Sequence, residues 1–433
     1  MRILLIATLI CNSTMLGITV ATAEEKFIPL GLLLPYTGVW AWMGAGADLG
    51  AELAVAEINE IPPLGMKIKL FKKDTETKSK PAIEGARKLY DVHKVVAIVG
   101  PTSATVRSII PISKEAGAAE ISPTAGTTKL DLIGGGIDGE QIYRTVSSDV
   151  VMTAGMVWWA LNKLSLKPKM AATFTADTEG SRSIYGGVVD VCKAVGLPLV
   201  MEIEFPSNQA SYRGVLKKLF AKKPDVIFWE ANPETDTVIF KQWYEMGLGG
   251  QWIGSDFANR TSAKASLPAS EGAIGVNPGL LVNPRSEAWI KRLEKVSKKP
   301  DYQPFSANCY DACIIFALAI ERAGTIAKDW GKTTAEHRKA ITNSLRKVAN
   351  PPGVKVNTYA DGIKALRAGK EIDYEGMAGT QDWNKFGDPV TYLKVEVMTV
   401  KDPTGMKRIG TVTPDLIKDI VDKVLKMRVG LAK

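Results

Sequence analysis

Between Phe27 and Val99 the hydrophobic period of the sequence switches repeatedly between that of a strand and that of a helix, and this rhythm constrains the fold more than any other feature. Phe27 to Leu34 is a short apolar run closed by Pro35, which predicts a buried strand, and Ala47 to Ile61 carries Leu49, Leu53, Ala54 and Ile58 at helical spacing. Met66 to Phe71 alternates as a strand does. A helix follows from Ser79 with Pro81 in its first turn, and Val95 to Val99 is an apolar, β-branched run stopped by Gly100-Pro101. Such an order requires parallel pairing, because parallel strands need crossovers, and right-handed crossovers set helices on both faces of the sheet. The rhythm restarts past Thr145. Helices are expected over Met152 to Leu164, Ser181 to Val195, Gln209 to Ala221 and Glu234 to Met246. Strands are expected over Lys169 to Thr175, Leu199 to Phe205, Asp225 to Trp229 and from Gln251. The fold class that follows is α/β, with two doubly wound, Rossmann-like lobes.

The remainder is helical text, notably Asn308 to Ala323, then an apolar strand Tyr392 to Val400 and a last helix opening Thr413-Pro414-Asp415. Ile417, Ile420, Val421, Val424 and Leu425 form one stripe on that helix, which is expected to dock on the body; contact with another protein is the alternative.

Composition narrows the function. With 433 residues, 45% hydrophobic and 23% charged, the chain has ordinary globular usage, which excludes a disordered, collagen-like or multi-span membrane protein. The 55 Lys plus Arg against 46 Asp plus Glu are spread along the chain without a basic arm, so no nucleic-acid partner is expected. Only two histidines, His93 and His337, are present, and neither falls in a candidate cleft loop. Triads, metal centres and proton shuttles lean on histidine; no catalytic residue, metal or cofactor is expected, and the chain is not expected to be an enzyme.

Residues 1–23 combine Arg2, the apolar run Ile3 to Ile10 and Ala21-Thr22-Ala23, the pattern of a cleaved export signal, so a periplasmic location with no membrane anchor is expected. Beyond it Cys192, Cys309 and Cys313 are expected as small core residues. Cys309 and Cys313 stand four apart in a helical stretch, which suits a disulfide poorly, and whether any two of the three bridge is left open.

Four polar loops follow predicted strands at the same sheet end, where α/β proteins hold ligands. They are Gly100-Pro101-Thr102-Ser103-Ala104-Thr105, Ile121 to Thr128, Glu230-Ala231-Asn232-Pro233-Glu234 and Gly254-Ser255-Asp256-Phe257. No lysine follows the first in the manner of a phosphate-binding loop, and Gly44, Gly46 and Gly50 have the wrong spacing for a dinucleotide loop. Hydroxyl and N–H donors facing an acid describe a cleft for a zwitterion.

The ordered phrases Leu33-Leu34-Pro35-Tyr36-Thr37-Gly38, Ala51 to Asn59, Val99-Gly100-Pro101, Ile121-Ser122-Pro123-Thr124, Lys223-Pro224-Asp225-Val226, Tyr310-Asp311-Ala312 and Trp383 to Asp388 carry a resemblance over about residues 27–400. The chain resembles the periplasmic solute-binding proteins of ABC importers typified by the leucine/isoleucine/valine-binding protein, the type I periplasmic binding protein fold. The resemblance implies two lobes joined by three crossing segments near Thr145, Gly275 and Gly379. Lobe one would hold 24–145 plus 275–378, and lobe two 146–274 plus 379–400, with 401–433 as a C-terminal extension. It implies a monomer that closes on a small ligand and delivers it to a membrane permease.

The resemblance also implies site residues. The carboxylate of an amino acid, branched-chain or aromatic, would be held around Ser103, Thr105, Thr124 and Thr127, its ammonium by Asp256, with Trp42 over its side chain. Ala104, Gly126, Glu179 and Asn232 stand where relatives carry other binding side chains and are counted with the site. A receptor module of the same fold for short amides, urea or aromatic acids, reporting to a sensor, is the second expectation, and a secreted hydrolase a remote third.

Overall fold

The structure, a computed structural model, describes residues 26–139, 141–255, 258–297, 304–326 and 334–431. The proposed signal lies outside the described residues, as does Asp256. The first sheet contains β1 Phe27–Leu34, β2 Lys67–Asp74, β3 Ile98–Val99, β4 Glu120–Ser122 and β5 Ile142–Arg144, all parallel in the order β2-β1-β3-β4-β5. The second holds β6 Ala171–Ala176, β7 Leu199–Phe205, β8 Val226–Glu230, β9 Gln251–Gly254 and β10 Ile274–Pro278, again parallel. A short parallel pair, β11 Val354–Val356 and β12 Ile372–Tyr374, stands apart. β13 Leu393–Met398 and β14 Met406–Val412 then add antiparallel to the β10 edge, giving the order β14-β13-β10-β9-β8-β6-β7.

Two cores follow the two sheets. β1 contributes Leu30, Leu32 and Leu34 to the first, where they meet the apolar helix Ser306–Ile326 and Trp289. The second gathers the helix Asp149–Asn162, the helix Glu179–Val195 and the last helix, Pro414–Leu431. Burial of Ile417, Val421 and Val424 in that core contributes about 1.5–3 kcal/mol per side chain, and this stripe fixes the last helix to the second lobe. The chain thus enters each lobe twice, and it crosses between them after β5, after β10 and after β12.

The structure moves several expected boundaries. The first helix spans Ala41–Ile58, six residues earlier than the apolar spacing suggested, and Gly44, Gly46 and Gly50 lie buried inside it. β10 runs through Gly275 and pairs with β9 and β13 within the second sheet. Met406–Val412, which lies in the expected C-terminal extension ahead of its helix, is a ladder strand of the second sheet. Cys192, Cys309 and Cys313 are buried and free. No helix among the described residues is long and apolar enough to cross a membrane.

Candidate functional site

The segments that follow β1, β3, β4, β5 and β6, with the end of β8, meet between the lobes, where a cavity of about 380 Å³ opens to solvent. Its first wall is built in the loop that leads into the helix Val106–Glu115. Thr102, Ser103 and Ala104 line the cavity there, and Thr124 and Gly126 line it from the loop after β4. Thr102 and Thr124 are buried, and their hydroxyls find no hydrogen-bond partner among the described residues. A buried hydroxyl without a partner costs about 1–3 kcal/mol, a debt that a ligand oxygen cancels.

The facing wall is acidic. Asp149 opens the helix Asp149–Asn162, capped by the Ser148 hydroxyl, which accepts from the Val150 N–H at 3.1 Å. Burial pushes the Asp149 carboxyl up to about 7, against the opposing influence of the Ser183 hydroxyl and the Arg144 charge. A Cβ on Gly126 would sit 2.1 Å from Asp149 Oδ1, so the glycine is what lets the carboxylate approach this loop. Glu230, the last residue of β8, is 2% exposed, and its Oε2 accepts from the Ser255 hydroxyl at 2.6 Å and the Ser255 N–H at 3.3 Å. Trp40, Met43 and Ile184 supply apolar surface. No lysine, arginine or histidine among the described residues lines the cavity.

Of the residues expected from sequence, Ser103, Ala104, Thr124 and Gly126 meet in this cavity. The others do different work. Thr105 is buried at the N-cap position of Val106–Glu115. Thr127 accepts from the Lys129 N–H at 3.3 Å and donates its own N–H to Ser103 Oγ at 3.2 Å. Trp42 packs on Phe305, ring centroids 6.0 Å apart, in a neighbouring cavity of about 320 Å³, and the ring that lines the main cavity is Trp40. Asn232 caps the helix Pro233–Glu245 and lines the wider mouth of the cleft. Glu179 pairs with Lys129 at 2.6 Å, while the Thr128 N–H donates to Ser183 Oγ at 2.9 Å. Both contacts join the lobes along the helix Glu179–Val195.

Thr102, Trp40, Met43, Asp149, Gly180, Ile184 and Glu230 line the cavity without having been singled out as site residues. For Asp149 a signal existed: Ser148-Asp149 is a helix-start signature. For Glu230 it was half visible, since the loop after β8 was already marked as a ligand loop.

Beneath the cavity lies a buried ionic network. Arg144, 1% exposed, donates from Nε to Asp388 Oδ1 at 2.7 Å and from Nη2 to Asp131 Oδ1 at 2.9 Å. Its Nη1 meets the carbonyls of Ala125, Gly126 and Thr127 at 3.2, 3.1 and 3.0 Å. One guanidinium thereby fixes the backbone of a cavity loop to the third crossing segment.

The sequence matches the model of the periplasmic binding protein family over residues 28–385. The chain belongs to that family. Periplasmic binding proteins are solute-binding proteins, not enzymes, in keeping with the scarcity of histidine. A curated relative, the "Chemotactic signal transduction system substrate-binding protein BasB" of Halobacterium salinarum, is 23% identical over 86% of this chain and 87% of its own. The crystal structure of the leucine binding protein LivK of Thermotoga maritima superposes with a TM-score of 0.71 at 20% identity, covering 90% of this chain and 99% of that one. An ABC transporter solute binding protein of R. palustris, in complex with benzoate, gives 0.69 at 19% identity, covering 90% and 98%. These two periplasmic binding protein structures share the two-lobed fold with this chain.

Proposed function

We propose that this chain captures an apolar or aromatic amino acid between its lobes, outside the cytoplasm, and hands it to an ABC-type permease. The observation that carries this reading is the charge of the cavity. Asp149 and Glu230 face the hydroxyls of Thr102 and Thr124, with no basic side chain among the described lining residues. An aromatic acid such as benzoate brings only an anion, whereas an amino acid brings an ammonium for the carboxylates and a carboxylate for the hydroxyls. Trp40, Met43 and Ile184 then leave an apolar side chain as the third element of the ligand. Asp256, assigned to the ammonium by resemblance, remains part of this reading as an additional acid. The monomeric state, and export through a signal in residues 1–23, complete it.

A thermal-shift panel of L-leucine, L-isoleucine, L-phenylalanine, benzoate, 4-hydroxybenzoate, acetamide and urea tests the reading. A ligand at 100 times its Kd adds about 2.7 kcal/mol of stability. Stabilisation by amino acids and not by benzoates is expected; a response confined to benzoates or amides overturns the assignment. Similarity to a chemotactic binding protein favours one second reading, in which the same closed form docks on a sensor. Capture of the purified protein by a sensor domain rather than by a permease would select it.

The Asp149 carboxyl, held near 7 by burial, makes binding pH-dependent. An ammonium favours the ionised acid, so below 7 binding must expel a proton. Affinity for L-leucine is expected to rise as the pH goes from 5.5 to 7.5, by up to about tenfold per unit, and then level off. The ligand-free protein should behave oppositely. Its native state keeps the Asp149 proton above the ordinary carboxyl value of 3.8, so stability falls as pH rises through that window towards 7. Calorimetric titration of Asp149→Asn checks both, since the variant should lose both slopes.

A further inference from the structure

The last helix reaches further than its apolar stripe requires. Its Arg428 lies near its C-terminal end and extends away from the second core, with a side chain only 15% exposed. Arg428 Nη1 donates to Asp131 Oδ2 at 2.5 Å, and Nε donates to Asp190 Oδ2 at 2.7 Å. Asp190 belongs to the helix Glu179–Val195 of the second lobe, whereas Asp131 follows β4 of the first and is fully buried. One side chain therefore ties the lobes together. The tie continues inward: Asp131 Oδ1 also accepts from Arg144 and from the Ser148 hydroxyl at 2.6 Å, and Arg144 holds the carbonyls of residues 125–127. Charges alternate along this path, Arg428, Asp131, Arg144, Asp388, so that each buried ion is neutralised by its neighbour, as buried charges must be.

We propose that Arg428 is a positioning residue for ligand capture. From the second lobe it holds Asp131 of the first, setting both the angle between the lobes and the seat of the loop that carries Thr124 and Gly126. Without it, Asp131 keeps Arg144 and Ser148 but loses its only link to the last helix. Asp131 and Arg144 can then shift together, and the 125–127 loop shifts with them. Two other contacts that join the lobes here are weaker: the half-exposed Lys129–Glu179 pair contributes at most about 1 kcal/mol in water, and the Thr128 N–H bond to Ser183 Oγ, between neutral groups, about 1 kcal/mol.

The test needs no ligand. Spin labels are placed on cysteines introduced at Val39 and Tyr244, exposed positions on opposite lobes; the native cysteines are buried and unreactive. In the ligand-free protein, Arg428→Ala is expected to lengthen and broaden the inter-label distance by several ångströms, and Arg428→Lys, whose single ammonium cannot span Asp131 and Asp190 as the guanidinium does, to restore only part of the wild-type distribution. Amide exchange in peptides covering 122–131 should accelerate at least tenfold in Arg428→Ala. A merely structural role would raise exchange in 414–431 alone and leave the distances unchanged, and that result overturns the proposal. If Arg428→Ala does not fold, Arg428→Gln, which is shorter and uncharged but keeps an amide donor, is measured in the same way and decides between the same two outcomes.

Discussion

Glu230→Gln is expected to weaken the binding of L-leucine by roughly 10- to 100-fold while leaving the deaminated analogue, 4-methylpentanoate, unchanged or bound more tightly. The size follows from the setting. The Glu230 carboxylate is buried and held by two donors of Ser255, so it presents an oriented charge where water screens little. A hydrogen bond to a charged group contributes about 1.5–3 kcal/mol under those conditions, which is the stated range of affinity. Glutamine keeps the shape and one carbonyl but removes the charge that an ammonium needs. Calorimetry on both ligands separates this from general damage to the cleft. Equal losses for leucine and for its deaminated analogue would remove the ammonium from Glu230. Failure of every amino acid to bind wild-type protein would instead remove the amino-acid reading itself.

The second large effect concerns stability. Replacing Arg144 by methionine, an unbranched side chain that matches the aliphatic stem of arginine, should cost about 3–5 kcal/mol in urea denaturation. Deletion leaves Asp388 without its main partner and Asp131 with Arg428 and the Ser148 hydroxyl, and it strips the carbonyls of Ala125, Gly126 and Thr127 of their shared donor. Those groups lie where water cannot replace the lost bonds. Arg144→Lys should recover less than half of the loss, because an ammonium cannot reach two carboxylates and three carbonyls in the fixed geometry of a guanidinium. A loss below about 1 kcal/mol would show that the acids take up protons and repack without strain.

The parallel sheets were legible because Phe27 to Leu34, Asp225 to Trp229 and their counterparts are buried on both faces and read as unbroken apolar runs. β14 was hidden for the opposite reason. Met406–Val412 lies at a sheet edge, and Lys407 and Arg408 give it the polarity of a loop. Glu230 was missed because an acid after an apolar run looks like the end of a strand, although its backbone still pairs in the ladder. Trp40 and Trp42 illustrate a limit of local reading. Two residues apart at a helix start they point to different sides, and only tertiary packing determines which ring reaches the cavity. The Arg144 network joins residues 131, 144, 388 and 428, a set with no shared motif, so nothing local announces it.

The double passage of the chain through each lobe has a consequence for how the protein is made. The first core lacks its central helix until Ile326 has been synthesised, and the second lacks an outer layer until Val424 has followed. Neither lobe is a finished folding unit during most of elongation, so burial that would lock the chain is deferred to the end. For the export proposed above, that delay would keep the chain pliable: the contacts that make it rigid are assembled from its later residues.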